Sequence, residues 1–118
     1  MPPFPFSGLS NQLAPTADDR WSAVEDLPFD FCFFDNIETQ FQLGSNGVIR
    51  FEVDPADEDQ GSGYLFNQPL PNNTVQVLSD GNVFTPVHDI FVSTGATEEI
   101  AWEIIGTSPN RVLAVSFF

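Results

Sequence analysis

The chain is predicted to be an all-β, antiparallel β-sandwich, and three observations predict it. Aromatic and apolar residues dominate Leu27-Pro28-Phe29-Asp30-Phe31-Cys32-Phe33-Phe34 and Val48-Ile49-Arg50-Phe51, with the alternation of a half-buried strand. Between them lies Gly44-Ser45-Asn46-Gly47, whose Asn-Gly pair tolerates positive φ at both central positions of a type I′ hairpin turn. Helical spacing of apolar residues is absent over any useful length, and no internal repeat is evident.

Residues 1–20 are rich in Pro, Ser, Asn and Asp, while Phe4, Phe6 and Leu9 suit an irregular N-terminal segment packed along a sheet edge. The sandwich module is expected over 21–118. Residues 21–24 read as a short strand. Strands are expected at 29–34, 39–44 and 47–53, with Phe29, Phe31 and Phe33 on one side and Ile49, Phe51 and Val53 on one face. The second and third should pair antiparallel across Asn46-Gly47. Residues 54–63 form an acidic loop punctuated by Gly and Pro.

Further on, 64–66 reads as a short edge strand and 75–78 as a short apolar run. Ser79-Asp80-Gly81-Asn82 reads as a turn, 90–93 as a strand, and Thr94-Gly95-Ala96-Thr97 as another turn. Residues 98–105 alternate with Ile100, Trp102 and Ile104 facing in, 106–110 turn the chain, and 111–118 return as the second arm of a hairpin. That last strand stops without a turn or polar cap, so the sandwich is expected to be incomplete at the C-terminus. An apolar edge left there should drive self-association, most simply as a symmetric dimer.

A length of 118 residues suits one domain with one core, and 42% hydrophobic and 14% aromatic content excludes global disorder. Three Lys+Arg against 17 Asp+Glu give a formal charge of -14. Such a surface repels phosphate backbones and anionic bilayers, which excludes nucleic acid and direct membrane insertion as partners. No apolar stretch approaches a membrane span. The N-terminus has no basic region, and Pro2, Pro3 and Pro5 interrupt any apolar run, so a secretion signal is expected elsewhere in a longer parent. The single Cys32 forbids an internal disulfide. It is expected to be a buried structural thiol, because Asp30 and Asp35 oppose thiolate formation.

Asp54, Asp57 and Asp59, with Glu58 among them, supply hard oxygens within six residues, and Gly61 and Gly63 permit a tight wrap. Calcium accepts such irregular oxygen sets. The spacing differs from an EF-hand loop, and a solvated acidic turn is the competing reading. His88-Asp89 is the sole histidine beside a carboxylate, but strand neighbours point to opposite faces and no nucleophile accompanies them. No pair among the acids stands out for glycoside hydrolysis. Trp21, Trp102 and Tyr64 are candidate sugar-stacking rings, with Trp102 better suited to the core. Asn72-Asn73-Thr74 matches a glycosylation sequon, which has meaning only in a glycosylating pathway.

Thr16-Ala17-Asp18-Asp19-Arg20-Trp21-Ser22, the Leu27–Phe34 and Gly44–Phe51 stretches, Val87-His88-Asp89-Ile90 and Pro109-Asn110-Arg111 follow one another in a telling order. That order resembles β-rich modules of large secreted surface proteins from gliding bacteria of the Bacteroidota type. The piece Gly44-Ser45-Asn46-Gly47-Val48-Ile49-x-Phe51 is also similar to nidogen-like extracellular domains. The gliding-type family usually has a glycine after the Phe-Phe pair, where Asp35-Asn36 stands here, and often a second cysteine where this chain has 39–43. The resemblance implies a secreted or cell-surface, non-enzymatic module, structural or adhesive, meeting a surface polysaccharide or protein. It also favours a structural role for His88-Asp89-Ile90. The rival readings are a carbohydrate-binding module of a larger secreted protein and a hydrolase.

Overall fold

The computed structural model describes residues 8–12, 18–61, 81–85, 90 and 99–117. Seven strands occur among them: β1 (Asn11–Gln12), β2 (Glu25–Phe33), β3 (Asn36–Gly44), β4 (Val48–Arg50), β5 (Asn82–Phe84), β6 (Ile100–Thr107) and β7 (Asn110–Phe117). They form two antiparallel sheets, ordered β1-β6-β7 and β2-β3-β4-β5. One 3-10 turn, Pro55–Asp57, is the only helical piece among the described residues. The all-β antiparallel class read from the sequence is the class observed. Among the described residues no helix is long and apolar enough to cross a membrane. The chain divides into two compact units, Asp18–Phe91 and Met1–Ala17 with Val92–Phe118.

In the terminal unit, β6 and β7 pair in one continuous register from Ile100↔Phe117 to Thr107↔Asn110, so Ser108-Pro109 forms a two-residue turn. The predicted hairpin is therefore present, with a tighter turn than 106–110. Ile100, Trp102 and Ile104 share a face with Phe117, Val115 and Leu113, as direct cross-strand partners must. Ile100 is buried on that face, and on the opposite one Leu9, Ala101 and Ala114 form a buried cluster. β1 lies on the outer edge of β6 and is tied there by side chains. Ser10 Oγ donates to Glu103 at 3.0 Å and Gln12 Nε2 to Glu99 at 2.9 Å.

In the central unit, β2 and β3 form a long hairpin whose tip is exposed and whose base is buried. The register runs Glu25↔Phe41 and Asp26↔Gln40, then resumes at Phe31↔Glu38, so residues 27–30 of β2 oppose Thr39 alone. Pro28, which has no N–H for the ladder, sits inside this bulge. The tip closes at Phe33↔Asn36, and both turn residues have positive φ, +46° at Phe34 and +66° at Asp35. That is the type I′ geometry anticipated at Asn46-Gly47, found one hairpin earlier.

Around Asn46-Gly47 the pairing β3–β4 is as predicted, but the last pair is Gly44↔Val48, which makes the loop three residues long. Gly47 alone takes positive φ, at +92°, and its amide donates to the Gly44 carbonyl at 3.1 Å. This is the three-residue hairpin closed by a left-handed glycine. β4 also ends at Arg50 rather than at residue 53. The Phe51 amide turns to the Gly81 carbonyl instead, so the expected face of Ile49, Phe51 and Val53 does not form. Val48, Arg50 and Phe51 are buried and Ile49 is not.

Residues 21–24 are not a strand. Trp21 makes only isolated bridges, to Gly44 and Glu58. Asn82, read as part of a turn, instead begins β5, which pairs with β4. The runs expected at 64–66 and 75–78 lie outside the described residues, as does 91–93.

Candidate functional site

The three aspartates of the acidic loop have separate duties. Asp54 caps the 3-10 turn by accepting from the Ala56 amide at 2.9 Å. Asp57 accepts from Arg50 Nη1 at 2.9 Å. Asp59 lies 4.0 Å from Arg20 in an exposed pairing, which contributes little to stability. Among the described residues no three His, Cys, Asp or Glu side chains come together in a way that holds a metal ion. Gly63 lies outside the described residues.

Arg50 organises the loop. It is one of only three cations in the chain, yet it is 3% exposed. A buried guanidinium requires its donors to be matched, because desolvating an unpaired charge costs several kcal/mol. Nη1 is matched by Asp57 and Nη2 by Gln42 Oε1, while the buried Nε has no hydrogen-bond partner among the described residues. The guanidinium carbon lies 4.1 Å from the centroid of the Trp21 ring, a cation–π contact in a desolvated place. Gln42 is itself fully buried. Its Oε1 also accepts from the Asp54 amide, and its Nε2 donates to the Ser22 and Asp54 carbonyls. Arg50 and Gln42 thus pin the acidic loop to the sheet. Sequence reasoning missed both, and the available signal was a lone cation within the apolar run Val48-Ile49-Arg50-Phe51.

The Gly44–Gly47 turn is a second hub. Ser45 and Asn46 are both fully buried, an unusual place for a hairpin turn, and their polar atoms are matched. Asn46 Nδ2 donates to Asp19 Oδ1 at 2.6 Å, and Asn46 Oδ1 accepts from the Ile90 amide at 2.8 Å. Ser45 exchanges bonds with the Arg20 backbone, through its amide at 2.9 Å and its hydroxyl at 3.0 Å. The Gly47 carbonyl accepts from both the amide and the hydroxyl of Thr85. Three separate stretches that carried the sequence resemblance, at Asp19, Asn46 and Ile90, therefore meet at one side chain.

The nidogen-related family matches residues 5–118. The chain belongs to that family. No curated protein and no solved structure matches it.

Other residues of this nidogen-related chain fall as follows. Trp21 is 2% exposed, so it is core, not a sugar platform. Trp102 is half-buried. Tyr64, His88, Asp89 and the sequon at 72–74 lie outside the described residues. Cys32, expected to be buried, is exposed. It pairs with Ile37 near the hairpin tip, where the strands have left the core. Glu25, half-buried at the hairpin base, has its carboxyl pushed above the usual value by burial first, then by Asp26 and Glu58. Phe31 and Phe33 of β2 pack against buried Phe51 beyond β4, with the three ring centroids 5.0–6.1 Å apart, and at the tip Phe34 meets Phe33 edge-on at 4.8 Å.

Proposed function

We propose that the chain is a non-enzymatic extracellular module, structural or adhesive, within a larger secreted or cell-surface protein of the gliding-motility type. Membership of the nidogen-related family supports the extracellular setting. The observation that carries the non-enzymatic reading is the use made of the buried polar side chains. Asn46, Gln42 and Arg50 bind turn backbone, a cap and an ion pair, leaving the described core with framework contacts instead of an acid–base pair facing a cleft. Protease treatment and antibody labelling of intact cells expressing the full parent test the location. Protection until the cells are lysed would overturn it. Turnover of fluorogenic glycosides or esters by the purified chain would overturn the non-enzymatic reading.

The second reading is a carbohydrate-binding module, favoured by the exposed rings of Phe31 and Phe34, since aromatic faces stack on sugars. A glycan array on the wild-type chain tests it, with Phe31→Ala as the control expected to abolish any signal.

A further inference from the structure

We propose that the outer edge of β7 is a self-pairing surface, along which two copies of the chain join antiparallel about a two-fold axis into one continuous sheet. The inference goes beyond the module reading and does not depend on it.

A sheet edge presents a row of N–H and C=O groups, and natural proteins blunt such edges against pairing with other chains. The two sheets have four end strands among the described residues, and three are blunted. β1 has two residues and β5 three. β2 is interrupted by the bulge that holds Pro28, and it carries Glu25, Asp26 and Asp30. β7 is not blunted. It runs eight residues in unbroken register, without proline, glycine or carboxylate, and its one charge, Arg111, sits beside the turn. No Asp or Glu occurs anywhere in 104–118, although the chain has 17.

The backbone says what kind of partner fits. A two-residue turn makes Thr107 and Asn110 a hydrogen-bonded pair, so Val112, Ala114 and Ser116 bond to β6, whereas Leu113 and Val115 turn their amides and carbonyls outward. No described strand lies on that side. Such groups specify an extended strand as the occupant, and charge and symmetry select a second copy. Each copy carries -14, so two copies meet most readily through a stretch without carboxylates. A two-fold centred on Ala114 sets Leu113 opposite the partner's Val115, so the outward groups of each copy face those of the other. The same register keeps the two Arg111 side chains at opposite ends of the seam. Leu113 and Val115, half-buried on the face shared with Ile104 and Trp102, gain apolar cross-strand neighbours.

The test is sedimentation equilibrium of the full chain over a concentration series, with amide hydrogen exchange of the same samples read by NMR. The wild type is expected to dimerise, more tightly when sodium chloride screens the -14 charge. Exchange at the Leu113 and Val115 amides is expected to slow as the protein concentration rises. Val115→Pro removes an outward N–H that the β6–β7 ladder does not use, and it should weaken the dimer at least about tenfold. Ile37→Thr, at the exposed tip of the β2–β3 hairpin, should leave dimerisation unchanged. A monomer at every concentration, exchange at Leu113 and Val115 that ignores concentration, undiminished association of folded Val115→Pro, or an equal loss in Ile37→Thr would each overturn the proposal. The exchange readout needs no variant, so it decides the matter even where Val115→Pro fails to fold. None of these results bears on the extracellular or non-enzymatic reading.

Discussion

The two ends of β3 carry opposite kinds of turn. At one end Ser45-Asn46-Gly47 is buried, with its polar groups bound to three distant segments. At the other, Phe34-Asp35 stands exposed with both residues at positive φ. The buried turn has the residues that suit a free-standing hairpin, and the free-standing hairpin has residues that do not suit it. Turn sequence thus follows what the turn must touch as well as how it must bend.

Breaking the buried turn should cost most. Asn46→Ala strips the partner from the part-buried Ile90 amide and Asp19 carboxylate and empties a fully buried position, and a deserted buried group costs about 1–3 kcal/mol. A loss of roughly 3 kcal/mol in urea unfolding is expected; a loss no larger than that of an exposed Asn→Ala change would remove the hub. Asn46→Asp should be as damaging at pH 7, because a second carboxylate then faces Asp19 across 2.6 Å.

Gly47→Val comes next. A β-branched residue at φ +92° should cost about 2 kcal/mol or more, and tolerance of valine would mean that the turn geometry differs. The exposed turn should respond with the opposite sign. Phe34→Asn with Asp35→Gly supplies the residues that type I′ prefers and should stabilise by about 1 kcal/mol. Destabilisation would show that the Phe33–Phe34 contact outweighs the strain.

At the base of the same hairpin, the raised pKa of Glu25 makes a smaller effect. The folded state holds this proton more tightly than the unfolded chain, whose usual value is 4.5. The group therefore favours folding at low pH and loses that contribution as the pH rises above 4.5. Glu25→Gln should raise Tm slightly at pH 7 and leave it unchanged below about pH 4; an equal shift at both would assign the effect to packing. The smallest expected response is to calcium. With Asp54, Asp57 and Asp59 occupied separately, calcium and sodium at matched ionic strength should raise Tm equally by screening. An excess for calcium, lost in Asp57→Asn with Asp59→Asn, would make 54–59 an ion-binding loop.

The alternation of 98–105 and 111–117 revealed the β6–β7 hairpin because its contacts are local and its register unbroken. The β3–β4 pairing was legible from Asn46-Gly47 for the same reason, but the loop length was not. Asn46 is held by Asp19 and Ile90, and no local turn rule contains partners 27 and 44 residues away. The face expected for Ile49, Phe51 and Val53 was misplaced, because alternation does not reveal that the cation between them, Arg50, is held inside by Asp57, Gln42 and Trp21. The Phe34-Asp35 turn was illegible because neither residue advertises positive φ, and β5 because its first residue, Asn82, sits beside Gly81 and was read into the turn.

Asn46-Gly47 also bears on how the molecule ages. In an unfolded chain, the deprotonated Gly47 nitrogen is free to attack the Asn46 side-chain carbonyl carbon, expel ammonia and close a succinimide, which water then opens to aspartate or isoaspartate. The native turn holds both reactants: the Gly47 N–H is bound to Gly44, and the Asn46 amide is clamped between Asp19 and Ile90. A chain that opens long enough to react returns with a carboxylate where Asp19 expects a donor, and it cannot rebuild the hub at neutral pH. Covalent change at this dipeptide is thus one route by which unfolding becomes irreversible, and the native turn slows it for as long as it stays closed.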